Sequence, residues 1–207
     1  TYNKYSDKLL FVVDFSNSMS DFLESKTKVN QIRDMMNHIL PKISSDTKLG
    51  LRVYGHTCNL IAYNACRSSE LIIPLGFGNA NLINQKLSAL RPRGMTPITY
   101  SLKQSVNKDL AGYEGIKHII LLTDGGENCD ESPCDYAIAL MKSRRDIKID
   151  VIAFNIKDKE DLAQLKCTAL VTSGKFYNPT TSAELVNSFN QTLSKQKRVE
   201  AKIITDH

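Results

Sequence analysis

An α/β fold, doubly wound around a mostly parallel central sheet with one antiparallel edge strand and helices on both faces, is predicted by three observations. Apolar, β-rich runs alternate with segments of helical period along the chain, the pattern of a sheet covered by helices. Two of the apolar runs end in an Asp, at Asp14-Phe15-Ser16-Asn17-Ser18 and at Asp124-Gly125-Gly126, so two buried strands stop at polar loops. One consecutive pair of runs has no helical pattern between its members, which makes that pair antiparallel and its second member an edge.

The first strand is residues 9–14, where Leu9-Leu10-Phe11-Val12-Val13 leads into Asp14. A helical pattern covers 28–40, followed by strands at 49–54 and 70–74, the latter being the edge. Helical patterns follow at 81–90 and 98–110, then a strand at 117–123, a helix at 135–144 and a strand at 149–154. A helix at 159–172, a short strand at 175–177 and a last helix at 183–195 complete the order. Thr181-Ser182-Ala183-Glu184 forms a capping box before the last helix, and Gly174 stands where the preceding helix would end in a left-handed residue. With no repeat, low-complexity stretch or linker, the expectation is one domain over 1–207, its core at about 7–197 and a tail at 198–207.

A chain of 207 residues buries roughly 70% of its unfolded surface as one domain. Its composition, 42% apolar and 24% charged, is that of an ordinary soluble globule. The net charge of +5 is mild and spread over helix faces, and Lys195-Gln196-Lys197-Arg198 is too small a patch for nucleic acid, so no nucleic-acid partner is expected. No apolar run approaches the roughly 20 residues that span a bilayer. The start, Thr1-Tyr2-Asn3-Lys4-Tyr5, lacks the apolar core of a signal peptide and an initiating Met. The expectation is an excised fragment, with any targeting signal or membrane anchor outside it.

Asp14, Ser16 and Ser18 hang three hard oxygen ligands from the end of a buried strand. A lone D-x-S-x-S also fits an ordinary turn. Arg93-Gly94-Met95-Thr96-Pro97-Ile98 adds a Thr hydroxyl in a loop, and Thr123-Asp124-Gly125 a second carboxylate at a strand end. At these residues the chain resembles the von Willebrand factor A domain family, with its Rossmann-like sheet and metal-ion-dependent adhesion site. Tyr54-Gly55-His56 and Gln164-Leu165-Lys166-Cys167 extend the resemblance to bacterial members, over nearly the whole chain.

The resemblance implies that the strands ending in Asp14 and Asp124 are neighbours, so that their carboxylates meet in the crevice outside the strand ends. The candidate metal ligands are Asp14, Ser16, Ser18, Thr96 and Asp124. All offer oxygen, which suits Mg²⁺, with Mn²⁺ and Ca²⁺ as alternatives, and argues against zinc or copper. By resemblance, Ser16 and Ser18 coordinate directly, Asp14 and Asp124 act partly through water, and Thr96 joins when ligand is bound. The implied function is a non-catalytic module whose ion captures an acidic residue of a protein partner. Two alternatives stay open: a metal-dependent phosphatase-like hydrolase, and an intracellular subunit recruiting a larger assembly. The first is opposed by Ser16, which stands where such phosphatases carry a second Asp as acid and base. No catalytic residue is assigned.

Cys58 and Cys66 bracket one loop and Cys129 and Cys134 another, which suggests two local disulfides and an extracytoplasmic location: periplasm, cell surface or secreted. Looser readings are a zinc site, Cys167 bonded to Cys129 or Cys134, and Cys167 as a buried free thiol. His56 ends the second strand near the predicted site, as a hydrogen-bonded loop residue or a ligand contact. His118 reads as structural, and His38 and His207 as surface groups.

Overall fold

The computed structural model describes residues 7–200, with side chains as far as Leu193. Residues 1–6 and 201–207, His207 among them, and the side chains of the basic cluster at 195–198 lie outside that description.

Strand β1 (Lys8–Asp14) is followed by a two-strand hairpin, β2 (Phe22–Leu23) and β3 (Lys26–Thr27), then helix α1 (Lys28–Ile39) and β4 (Lys48–Tyr54). A one-turn α2 (Ala62–Ala65) leads to β5 (Ser69–Gly76), then α3 (Ala80–Ala89) and α4 (Ile98–Gln104). The order ends β6 (Lys117–Thr123), α5 (Pro133–Ser143), β7 (Ile147–Ala153), α6 (Lys159–Val171), β8 (Phe176–Tyr177) and α7 (Ser182–Glu200). The large sheet runs β5-β4-β1-β6-β7-β8, with every pair parallel except antiparallel β4–β5. The predicted edge strand is therefore present.

Alternation along β1 builds both layers. Leu9, Phe11 and Val13 pack with Ile32, Met35 and Met36 of α1 and with Leu185 and Phe189 of α7. Leu10 and Val12 face the other way, into Leu102 of α4, Leu140 of α5 and Leu165 of α6. A strand covered on both faces reads as a continuous apolar run, which is why β1 shows no polar alternation. The stacked rings of Phe11 and Phe189, centroids 5.8 Å apart, pin α7 to the middle of the sheet.

Several expectations need correction. The hairpin β2–β3 and α2 were not foreseen, since elements of two to four residues carry no period. The helix expected over 98–110 is α4 continued by a π-helical segment, Ser105–Asp109. The last helix runs through 195 to Glu200, into the expected tail. The left-handed residue after α6 is Ser173, with φ +59°, and not Gly174. Gly174 answers a steric demand instead, because a Cβ there would lie 1.9 Å from the Ile149 carbonyl oxygen. In the capping box, Thr181 Oγ1 accepts the Glu184 N–H at 3.2 Å, while Glu184 reaches back to the N–H of Thr180, one residue before the cap. Among the described residues no helix is long and apolar enough to cross a membrane.

Candidate metal centre

The chain leaves β1 first to β4 on one side and later to β6 on the other, so the crevice outside the ends of β1 and β6 is the switch point of the sheet. Asp14 ends β1, fully buried, and its Oδ1 accepts the Ser16 N–H at 2.7 Å. Its Oδ2 accepts the Thr123 hydroxyl at 2.9 Å, from the end of β6. Ser18 Oγ donates to Asp124 Oδ1 at 2.7 Å and lies 3.2 Å from Ser16 Oγ. Four of the five candidate ligands thus meet in one hydrogen-bonded cluster.

Backbone bonds hold the surrounding loops together. Phe15 N–H donates to Tyr54 O at 2.8 Å, Asn17 N–H to Gly94 O at 3.0 Å, and Arg93 N–H to both Phe15 O and Gly55 O at 3.0 Å. Glycine is required at position 55: its φ is +72°, and a Cβ would stand 2.6 Å from Ser16 N. Gly94 passes as closely, with a virtual Cβ 2.7 Å from Thr57 O. Thr96, the fifth candidate, is buried at this same end, its N–H donating to Asn128 Oδ1 at 2.7 Å. Glu127 Oε2 accepts the Thr99 N–H at 2.6 Å in the first turn of α4. Asn17 and Met19 stay outside the cluster, Met19 packing into the core beneath it.

Three contributors escaped the sequence reading. Glu127 and Asn128 position the Thr96 loop, and their only signal was their place just after Asp124-Gly125-Gly126. Lys28 Nζ donates to Asp124 Oδ2 at 2.8 Å, with both side chains nearly inaccessible. Its signal was a cation at the first position of a helix, where the macrodipole disfavours one.

Burial, with the Asp124 carboxylate beside it, pushes the Asp14 carboxyl up to about 6, against the pull of its Ser16 and Thr123 hydrogen bonds. Burial, and after it the charge of Asp14, also raise the Tyr54 phenol. Two adjoining carboxylates with hydroxyls between them fit a hard divalent cation: every donor is oxygen, and the ion would relieve the charge repulsion. Among the described residues no group of three or more His, Cys, Asp or Glu is placed to hold a metal ion.

The local disulfide pairings are overturned. Cys66 is bonded to Cys129, with Cα atoms 5.5 Å apart, and Cys134 to Cys167, at 5.4 Å. Cys58, expected to pair with Cys66, is free and exposed. The reason is topological. β4 and β6 flank β1, so the loops after them rise side by side and Cys66 meets Cys129. Cys134 sits in the first turn of α5, which packs on α6, where Cys167 lies. Two disulfides remove the zinc reading of these thiols. His56 Nε2 is 3.0 Å from Glu70 Oε2, and His38 bonds Lys42 Nζ at 2.6 Å. His118 Nδ1 lies 3.9 Å from Asp150 Oδ2.

A family model described as the von Willebrand factor type A domain matches residues 8–191. YwmD of Bacillus subtilis is 29% identical over 188 residues, 88% of this chain and 81% of YwmD. Among solved structures, BatB from Bacteroides thetaiotaomicron superposes with a TM-score of 0.72 at 15% identity, covering 93% of this chain and all of that one. Proximal thread matrix protein 1 of the mussel byssus, with a zinc-occupied MIDAS motif, gives 0.69 at 17% identity, over 95% of this chain and 47% of that one. The pilus adhesin SpaC of Lactobacillus rhamnosus GG gives 0.68 at 13%, over 92% and 30%. At these identities the structural likeness concerns the fold alone.

Proposed function

We propose that this chain, which belongs to the von Willebrand factor type A domain family, is a non-catalytic module that captures an acidic residue of a protein partner through a divalent cation. The observation that carries the reading is the convergence of Asp14, Ser16, Ser18 and Asp124 at the switch point, with Ser18 and Asp124 bonded across 106 residues of chain. Folding alone gains little from pressing two carboxylates together in a buried crevice.

Ser16 and Ser18 would hold the ion directly, Asp14 and Asp124 would balance its charge, partly through water, and Thr96 would close in when ligand arrives. When bound, Mg²⁺, or Mn²⁺ in its place, supplies an exchangeable coordination position for a carboxylate. Around it, Leu60, Ile61 and Tyr63 are exposed on the loop that Cys66–Cys129 ties to the Asp124 loop. Exposed apolar side chains grouped beside a polar centre suit a protein contact. The disulfides suit an extracytoplasmic setting, and the mussel and pilus proteins are adhesion or matrix proteins by description.

The test is calorimetric titration with Mn²⁺, followed by retention on a surface of glutamate-bearing peptides. Wild type should bind one ion and be released from the peptides by chelator. Asp14→Ala should bind none, and Thr96→Ala should lose retention while unfolding at nearly the wild-type midpoint. Metal-dependent hydrolysis of p-nitrophenyl phosphate that vanishes in Asp14→Asn would replace this reading with the phosphatase one.

A further inference from the structure

We infer that Lys28 is a built-in cation of the metal-free site, and that a divalent ion enters by displacing its ammonium from Asp124. This rests on the metal reading above. Lys28 opens α1, and its Nζ donates to Asp124 Oδ2 at 2.8 Å, the two residues lying 96 apart in sequence. Its side chain is 11% exposed and that of Asp124 0%, so the contact is shielded from water.

Local structure supplies no reason for this lysine. The N-terminal turn of a helix favours anions, and α1 carries no acidic residue there. A buried ammonium is tolerated only against a partner charge, and the partner is Asp124. Both oxygens of that carboxylate are already engaged: Ser18 Oγ donates to Oδ1 and Lys28 Nζ to Oδ2. An ion held by Ser18 needs the hydroxyl's lone pair, so the Ser18 proton must turn away from Asp124. The same ion would place two positive charges beside the ammonium in a shielded crevice, where repulsion is strong. The two cations therefore compete for one carboxylate. Lys28 compensates the Asp124 charge and, by the same contact, weakens the site for metal.

The experiment is a parallel Mn²⁺ titration of wild type, Lys28→Met and Lys28→Arg by calorimetry. Lys28→Met should bind Mn²⁺ about tenfold tighter or more, whereas Lys28→Arg, which keeps the charge, should not. Equal affinities in wild type and Lys28→Met would overturn the inference and leave the metal site standing. Wild type that binds no Mn²⁺ would sink the metal reading and this inference with it. A second measurement needs no variant: acetylation by acetic anhydride, read by mass spectrometry, should label Lys28 several-fold faster with saturating Mn²⁺ than with chelator. Exposed Lys26 serves as the unchanged reference. Lys28 labelling that does not respond to Mn²⁺ would also overturn the inference.

Discussion

Cys66 and Cys129 are joined across the end of β1, tying the loop after β4 to the loop that carries Asp124, Glu127 and Asn128. The bond closes a stretch of 63 residues. A loop of that size contributes about 4 kcal/mol by restricting the unfolded chain. Cys129→Ser should lower stability in urea by up to that amount and weaken Mn²⁺ binding, because the Asn128 bond to Thr96 N–H would lose its anchor. Unchanged affinity in a folded Cys129→Ser would show that the disulfide serves stability alone.

Arg52 and Asp109 form a buried two-bond pair, Nε to Oδ2 at 2.6 Å and Nη2 to Oδ1 at 2.9 Å, with Asp109 supplied by the π-helical segment after α4. Removing one partner strands a buried charge, so Asp109→Ala should cost about 3–5 kcal/mol. The double variant Arg52→Met with Asp109→Leu should recover much of that loss. Denaturant titration of the three proteins decides it; a double variant no better than the single would mean that the pair's geometry, rather than its charge, is required.

Backbone fit after α6 separates two neighbouring residues. Gly174→Ala would drive a Cβ into the Ile149 carbonyl of β7 and should destabilise by about 2 kcal/mol or more. Ser173→Gly should be neutral or stabilise by about 0.5–1 kcal/mol, since glycine takes φ +59° freely. Thermal unfolding that ranks the two variants the other way would contradict the assignment.

At the opposite end of the sheet, Arg144 and then Lys117 hold the Asp146 carboxylate well below its usual range. A folded-state pKa below the unfolded value of 3.8 means that the unfolded chain binds the proton more readily, so stability rises with pH through that window. The contribution should be complete above about pH 5 and fade as pH falls below 3.8. Asp146 is about one-third exposed, so Asp146→Asn should cost about 1 kcal/mol at pH 7 and less at pH 3. An equal deficit at both pH values would rule out this linkage.

Strands of long apolar runs were legible because a doubly covered strand must be apolar throughout, as in Leu9 to Val13 and Ile119 to Leu122. The carboxylate–hydroxyl cluster was legible where its members sit at regular spacing, at Asp14, Ser16 and Ser18, and where a strand ends in a carboxylate, at Asp124. Lys28 was hidden because nothing in a helix-opening lysine tells which carboxylate it will face. Glu127 and Asn128 were hidden because loop residues carry no period.

Periodicity, connection type and side-chain oxygens are local properties, so the alternation of strands and helices, the edge strand, and the Asp and Ser side chains at the strand ends could all be read along the chain. Partnerships between distant residues came from the packed fold: Cys66 with Cys129, Cys134 with Cys167, Lys28 with Asp124, and Gly174 against Ile149. Each of these contacts joins residues from different elements. Which elements adjoin follows from the order in which strands assemble around β1, and that order depends on packing the whole chain at once.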